Sequence, residues 1–315
     1  MESITLAHSD LKVSRLCMGG CPLGEYGWGA VDHAELVRTV QIAVDNGITM
    51  FDTADVYGLG SSEKTLGQAL AERRKDVVIA SKFGVRIENG KTFYDNSREW
   101  INKAVDASLQ RLNTDYIDLY QVHYRDGKTP IGDIVQSLQD LQKKGKIRYF
   151  GLSNVTVDDI SELIPYQDYF VSFQDEYSLA TRKNEAIIQG VQHTLSLTPM
   201  TWGSLGQGIL TGKYGKDTCF GKDDRRSRDI YVNFHGDKLL HNLEIVEVLK
   251  QIATSIGHSV AAVAIRFILD YIKESIVLVG IKNERQLTSN LEAVKFCLNE
   301  EQIGKLLMIS KDKNE

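Results

Sequence analysis

Two side chains able to handle a proton, Asp52 and Tyr57, stand five residues apart in the stretch MFDTADVYGLGSSE (50–63). A phenol near pKa ~10 is a weak acid at neutral pH unless a cation beside it stabilises the phenolate. Two later apolar runs end on groups that complete such a site: DVVIASK ends on Lys82 and YIDLYQVH on His123. In that combination Lys82 makes Tyr57 a better acid, Asp52 keeps the ammonium charged, and a neutral His123 donates a hydrogen bond to a carbonyl oxygen. Singly, each has an ordinary structural role: a turn cap, a rim aromatic, an ion pair, a satisfied core histidine. Their common placement at the ends of strand-like runs is what joins them. A competing use of Lys82, as the Schiff-base amine of a lyase, fits the pairing with Asp52 poorly, because a carboxylate holds the amine in its charged form.

The elements that must carry these groups alternate along the chain. Eight β-rich runs can be read: KVSRLCMG (12–19), ITMFD (48–52), DVVIASK (76–82), YIDLYQVH (116–123), KIRYFGLS (146–153), YFVSFQ (169–174), LSLTPMTW (195–202) and SIVLVG (275–280). Between them lie helical patterns such as HAELVRTVQIAVDNG and IGDIVQSLQDLQKKGK, with apolar residues three and four apart. Asp32, Ser61 and Ser97 suit helix N-caps, and Gly47 and Gly145 suit C-terminal positions. Eight strand–helix units predict a single α/β domain over residues 1–315, a closed (β/α)8 TIM barrel. Chemistry on that fold sits at the C-terminal ends of the strands. Alternation places Met50 with Asp52, Val78 and Ala80 with Lys82, and Leu119 and Gln121 with His123, so all four groups point toward one mouth. ESITLAHSDLKVS is expected to form an N-terminal hairpin across the barrel bottom. The stretch from Gly203 to about Asn242, after strand seven, exceeds an ordinary βα loop and predicts a lid or cofactor loop.

Composition bounds the setting. The 315 residues are 42% apolar and 25% charged, with a net charge of −5, so no global basic field points to nucleic acid or to an anionic membrane surface. No apolar run approaches roughly 18 residues and no basic-then-apolar leader opens the chain, which makes a cytoplasmic location the expectation. Cys17, Cys21, Cys219 and Cys297 are too few and scattered for a disulfide framework, and no metal-ligand spacing accompanies them.

With the strand ends assigned, the chain resembles the aldo-keto reductase superfamily from about Leu11 to Leu298. FDTADVYGLGSSEKTLGQAL, VVIASKFG, RLNTDYIDLYQVH, GKIRYFGLSN, SLGQGILTGKY and VGIKNERQLTSN carry the resemblance, in family order. It implies NADPH-dependent reduction of an aldehyde, ketone or sugar carbonyl, reversible as a dehydrogenase, with NADH as a possible substitute. The family's catalytic tetrad falls on Asp52, Tyr57, Lys82 and His123. By the same resemblance Ser153, Asn154 and Gln174 meet the nicotinamide carboxamide, Trp202 stacks on the ring, and Gly19 and Gly20 let backbone approach the cofactor. Gly203, Leu205, Gln207, Gly208 and Lys213 would face the pyrophosphate, although Ser204 stands where proline is commoner. Gly280, Lys282, Gln286 and Asn290 would surround the 2′-phosphate and adenine, with Asn283 in place of the more usual arginine. Cys21, Trp28, Tyr124 and Arg125 lie in loops at the mouth and are expected to meet the substrate; Arg86 is a further candidate there. The resemblance also admits a second class, a cofactor-sensing subunit of a larger assembly.

Overall fold

The computed structural model describes residues 1–311. Eight parallel strands close into a barrel in chain order: β1 Leu16–Gly19, β2 Met50–Asp52, β3 Val78–Phe83, β4 Ile117–Val122, β5 Ile147–Ser153, β6 Phe170–Glu176, β7 Thr198–Trp202 and β8 Ile276–Gly280. The run read as 12–19 divides at Arg15. Lys12–Ser14 pairs antiparallel with Ser3–Thr5, and only Leu16–Gly19 enters the barrel. The hairpin places Leu6, Leu11 and Val13 against the inward residues Cys17, Met50, Val78, Ala80, Leu119, Val171, Met200, Ile276 and Leu278. The barrel is therefore a packed core sealed from below.

Outward residues of the same strands, among them Phe51, Ile79, Tyr120, Val122 and Phe150, join the surrounding helices in a second and larger core. The helix Ile131–Lys143 shows how: Ile131, Ile134, Val135, Leu138 and Leu141 recur at helical spacing and are all buried. Asp32 and Ser97 cap their helices as expected, accepting hydrogen bonds from Glu35 N and Trp100 N. Ser61 does not. Gly60, with φ 93°, takes the cap position there, and Ser61 is the first helical residue. The long connection after β7 ends sooner than expected, because a helix already begins at Gly236 and runs to Ile256. No single helix among the described residues is long and apolar enough to cross a membrane.

Register brings the strand ends together. Gly19 pairs with Asp52, Asp52 with Ala80, Lys82 with Gln121, Gln121 with Gly151, and Ser153 with Gln174. His123 lies one residue beyond β4 and keeps the ladder by donating its N–H to the Phe83 carbonyl at 2.9 Å.

Candidate active site

Asp52 is the hub of the barrel mouth. Its Oδ1 accepts from Lys82 Nζ at 2.5 Å, and its Oδ2 accepts from Gln121 Nε2 at 3.0 Å and Gln174 Nε2 at 2.9 Å. Lys82, fully buried, makes its second hydrogen bond to the Thr53 carbonyl at 3.0 Å. Its ammonium stands 5.2 Å from the Tyr57 ring centroid, and that ring meets His123 edge-on at 5.9 Å. Asp52, Tyr57 and His123 line one cavity, with Lys82 directly beneath it. A buried ammonium tied to a carboxylate and a carbonyl is a poor nucleophile, which argues against the lyase.

The turn carrying Tyr57 is held by backbone crossing. Gly58, with φ 58°, packs against Gly24 so closely that an added Cβ would lie 2.2 Å from the Gly24 carbonyl oxygen. Both glycines are required for the loops after β1 and β2 to touch. Below them Ser62 Oγ donates to the Gly20 carbonyl at 2.6 Å and meets Thr53 Oγ1 at 2.7 Å. The fully buried Glu63 then ties this helix to β3 and the next helix, accepting from Ser81 Oγ at 2.5 Å and Arg111 Nε at 2.5 Å. Gly20 is small for the same reason: a Cβ there would fall 2.8 Å from the Asp52 carbonyl.

Burial sets the protonation states. The His123 imidazole is pushed well below its usual range by burial and then by the Lys82 charge, so it is neutral near pH 7. Among the described residues its Nδ1 has no hydrogen-bond partner. The Tyr57 phenol is pushed up, first by burial and then by Asp52, rather than down as the sequence led us to expect. Burial is the main cause, and Lys82, whose hydrogen bonds go to Asp52 and Thr53, does not offset it. Tyr57 is thus held in the proton-bearing form.

The cavity measures about 1230 Å³, above the roughly 300–1,000 Å³ of an ordinary small-ligand pocket. It runs from Tyr57 and His123 to Lys282, Gln286 and Asn290, long enough for an extended molecule plus a small partner. At the far end Lys282 is held below its usual range by burial and by the neighbouring Arg226 and Lys213 charges. Asp224 already pairs with Arg226 and partly offsets these charges, and a phosphate group beside Lys213 and Lys282 would offset the rest. The helix Glu284–Leu291, capped by Asn283, opens onto the same place.

The connection after β7 has a core of its own. The Arg226 guanidinium is chelated by Asp224 at 2.5 Å and sits 5.3, 4.4 and 5.8 Å from the rings of Tyr214, Phe220 and Phe234. From this anchor the segment crosses the cavity to the loop after β1. Arg225 N donates to the Gly27 carbonyl at 3.0 Å, and Trp28 meets Tyr231 edge-on at 5.8 Å. Lys282 Nζ donates to the Trp28 carbonyl at 2.7 Å from below.

A profile of the Aldo/keto reductase family matches residues 15–311. The chain belongs to that family. It is 34% identical over 304 residues to the aldo-keto reductase YhdN of Bacillus subtilis, covering 96% of this chain and 91% of the relative. It is 33% identical over 308 residues to a probable voltage-gated potassium channel subunit beta of Arabidopsis thaliana, covering 93% and 91%. The solved glycerol dehydrogenase AKR11B4 of Gluconobacter oxydans superposes with a TM-score of 0.87 at 32% identity, covering 98% of this chain and 94% of that one. This chain is an oxidoreductase.

The residues expected to hold cofactor all line the cavity of this aldo/keto reductase: Gly19, Gly20, Ser153, Asn154, Gln174, Trp202, Gly203, Leu205, Gln207, Gly208, Lys213, Gly280, Lys282, Gln286 and Asn290. Some are engaged within the protein. Gln174 bonds to Asp52, Asn154 Nδ2 donates to the His123 carbonyl at 3.0 Å, and Gln207 Nε2 donates to Glu176 Oε1 at 3.1 Å. Cys21, Trp28 and Tyr124 also line it, and Trp28 Nε1 donates to Cys21 Sγ at 3.2 Å. Arg125 does not reach the cavity. It turns away to Asp159 at 3.1 Å and Glu162 at 3.0 Å, charges that sequence distance had hidden. Arg86 is likewise absorbed by Asp95 and Glu88 and stacks over Trp100 at 4.4 Å. An unforeseen hairpin, Val85–Glu88 with Lys91–Tyr94, supplies Val85, Thr92 and Tyr94 to the lining. Tyr94 stacks on Tyr124 at 4.9 Å, and Tyr124 stacks on His123 at 5.0 Å.

Proposed function

We propose that this oxidoreductase is an NADPH-dependent carbonyl reductase, acting on an aldehyde, ketone or sugar carbonyl and running in reverse as an alcohol dehydrogenase. The observation that carries the reading is the pairing of a protonated Tyr57 with a neutral His123 at one end of a cavity whose other end gathers Lys213, Arg226 and Lys282. The cations favour NADPH over NADH, because an extra phosphate satisfies a charge cluster that a ribose hydroxyl leaves unmatched.

NADPH, when bound, supplies the hydride. Ser153, Asn154 and Gln174 would hold its carboxamide and Trp202 the ring face, so that one side of the ring turns to the mouth. His123 offers an N–H to the substrate oxygen and orients the carbonyl. Tyr57 gives its proton to that oxygen as negative charge develops there. Lys82, fixed by Asp52, stabilises the phenolate left behind. Thr53, Gln121 and the Gly24–Gly58 crossing keep these groups in place.

The test is NADPH oxidation followed at 340 nm over a panel of aldehydes, ketones and sugars. Tyr57→Phe should cost about 10²- to 10⁴-fold in kcat, the usual worth of a general acid, and leave NADPH affinity within a few fold. Retention of more than about a tenth of the activity would remove Tyr57 as the acid. A second role, a cofactor-sensing subunit of a larger assembly, is supported by the likeness to the plant channel subunit. A protein that binds NADPH and oxidises it with no carbonyl compound would leave that role in place of the first.

A further inference from the structure

We propose that Asn96 is a positioning residue of the reaction, holding Tyr124 face to face with His123 and so fixing the plane of the imidazole that meets the substrate oxygen; the inference rests on the reductase reading above.

The buried Nδ1 of His123 has, among the described residues, no hydrogen-bond partner. An imidazole ordinarily takes its orientation from a bond at the nitrogen turned away from its work. Here that task falls to neighbouring rings. Tyr57 meets His123 edge-on, with 82° between the planes, and Tyr124 lies against its face at 5.0 Å and 24°. Tyr124 is backed in turn by Tyr94 at 4.9 Å and 17°, so three rings stack in a row that ends on the reacting group.

Asn96 fixes the middle ring from behind. It is fully buried and is not among the residues lining the cavity. Its Nδ2 donates to the Tyr124 carbonyl at 3.2 Å, its Oδ1 accepts from Asp126 N at 2.8 Å, and its own N–H donates to Asp126 Oδ2 at 2.9 Å. Each end of the amide thus faces a group that it can bond. Asn96 is itself anchored on two sides. Asp95 N donates to the Gly84 carbonyl at 2.9 Å, closing the hairpin after β3, and Asp95 Oδ1 accepts from Ser97 N at 2.9 Å where the helix Arg98–Leu112 begins. Gly84, with φ 105°, leaves room for the amide, since an added Cβ would lie 2.6 Å from Asn96 Nδ2. The loop that carries Tyr124 is therefore tied to the start of a helix. Without the amide, the Tyr124 carbonyl and the Asp126 N–H lose their partners and the loop must shift to regain them. A displacement of about 1 Å at the reacting end is worth on the order of 10²-fold in rate.

Asn96→Ala removes both side-chain bonds. At saturating NADPH its kcat should fall about 10- to 10²-fold, and equally for acetaldehyde and benzaldehyde, because the orientation of His123 serves every carbonyl alike. NADPH affinity should stay within about threefold. The second readout is the His123 proton resonances in the NADP⁺ complex, assigned among the seven histidines with His123→Asn. A ring lying against the imidazole face shifts these resonances, and Asn96→Ala should move them toward those of a free histidine. A kcat within about twofold of the parent, unmoved resonances, or a loss of NADPH affinity in step with activity each overturn the proposal. If Asn96→Ala does not fold, Tyr94→Ala takes its place, since Tyr94 is 44% exposed and its loss spares the core. Removing one ring of the stack should cost about 2- to 10-fold in kcat for both aldehydes and move the same resonances, whereas Tyr94→Phe should leave the resonances in place. A rise in KM for benzaldehyde alone would make Tyr94 a wall for substrate and refute the stack as the support of His123. If the unaltered protein reduces neither aldehyde, the reductase reading fails, and the resonances then decide: movement in Asn96→Ala supports the brace on His123, and its absence refutes it.

Discussion

Replacing Asp52 by Asn separates what the buried ion pair does for stability from what it does for catalysis. Oδ1 faces an ammonium and Oδ2 faces two amide N–H groups, so all three neighbours are donors. An asparagine has one acceptor oxygen, and either orientation turns its NH2 toward another donor. Lys82 meanwhile stays fully buried without its counter-charge. Removing one partner of a buried pair costs about 3–5 kcal/mol. Urea denaturation should therefore show Asp52→Asn destabilised by about that amount, and kcat should fall at least 10²-fold as Lys82 loses the bond that fixes it beside Tyr57. The double variant Asp52→Asn/Lys82→Met is the informative control. Met fills the stem of the lysine and removes the orphaned charge, so most of the lost stability should return while activity does not. A double variant as unstable as Asp52→Asn, or a single variant that loses less than about 1 kcal/mol, would refute this reasoning.

Three further outcomes are expected. Lys282→Ala should weaken NADPH by roughly 10- to 150-fold and NADH much less, measured by fluorescence titration; equal losses would place the lysine away from the phosphate. Hydrogen exchange with and without NADP⁺ should slow across residues 203 to 235, and unchanged exchange there alongside protection at Ser153 and Asn154 would make the segment a passive surface loop. Burial, then the nearby Glu63, pushes the Asp55 carboxyl up to about 8 from an ordinary 3.8. The native protein thus holds a proton that the unfolded chain releases, and this residue's contribution to stability declines as pH rises from about 4 to about 8. Asp55→Asn should abolish that decline and raise stability at pH 8, by at most about 6 kcal/mol at about 1.4 kcal/mol per tenfold change in proton affinity. A variant whose thermal midpoint follows the same pH curve as the parent would show that Asp55 is ionised throughout.

The barrel was legible because inward and outward residues alternate so regularly that Lys82 and His123 could be assigned to strand ends without coordinates. The protonation of Tyr57 was not legible, because it depends first on how deeply the phenol is buried, which only the folded packing around it decides. Gln121 was placed on the correct face, but an amide carries no chemical signature, and its service to Asp52 appears only in three dimensions. The hairpin at 85–94 is not legible in the sequence because Lys91–Tyr94 is exposed throughout and lacks the buried alternation that betrays a strand. Arg125 turns from the cavity for a reason no local pattern carries: its partners, Asp159 and Glu162, lie more than thirty residues away in sequence. The long connection after β7 was legible as a lid or cofactor loop by its length, but its small aromatic core of Tyr214, Phe220 and Phe234 around Arg226 was not, because these rings are spread over twenty residues with no periodic spacing.

The hairpin at the foot of the barrel has a consequence for traffic. With Leu6, Leu11 and Val13 filling the lower opening, the enzyme is a cup and not a tube, and the segment running from Asp224 to Tyr231 lies across its rim. Molecules cannot queue at one door and leave by another. Whatever enters or leaves the cavity therefore passes the Asp224–Tyr231 segment, at the end of the barrel opposite the hairpin.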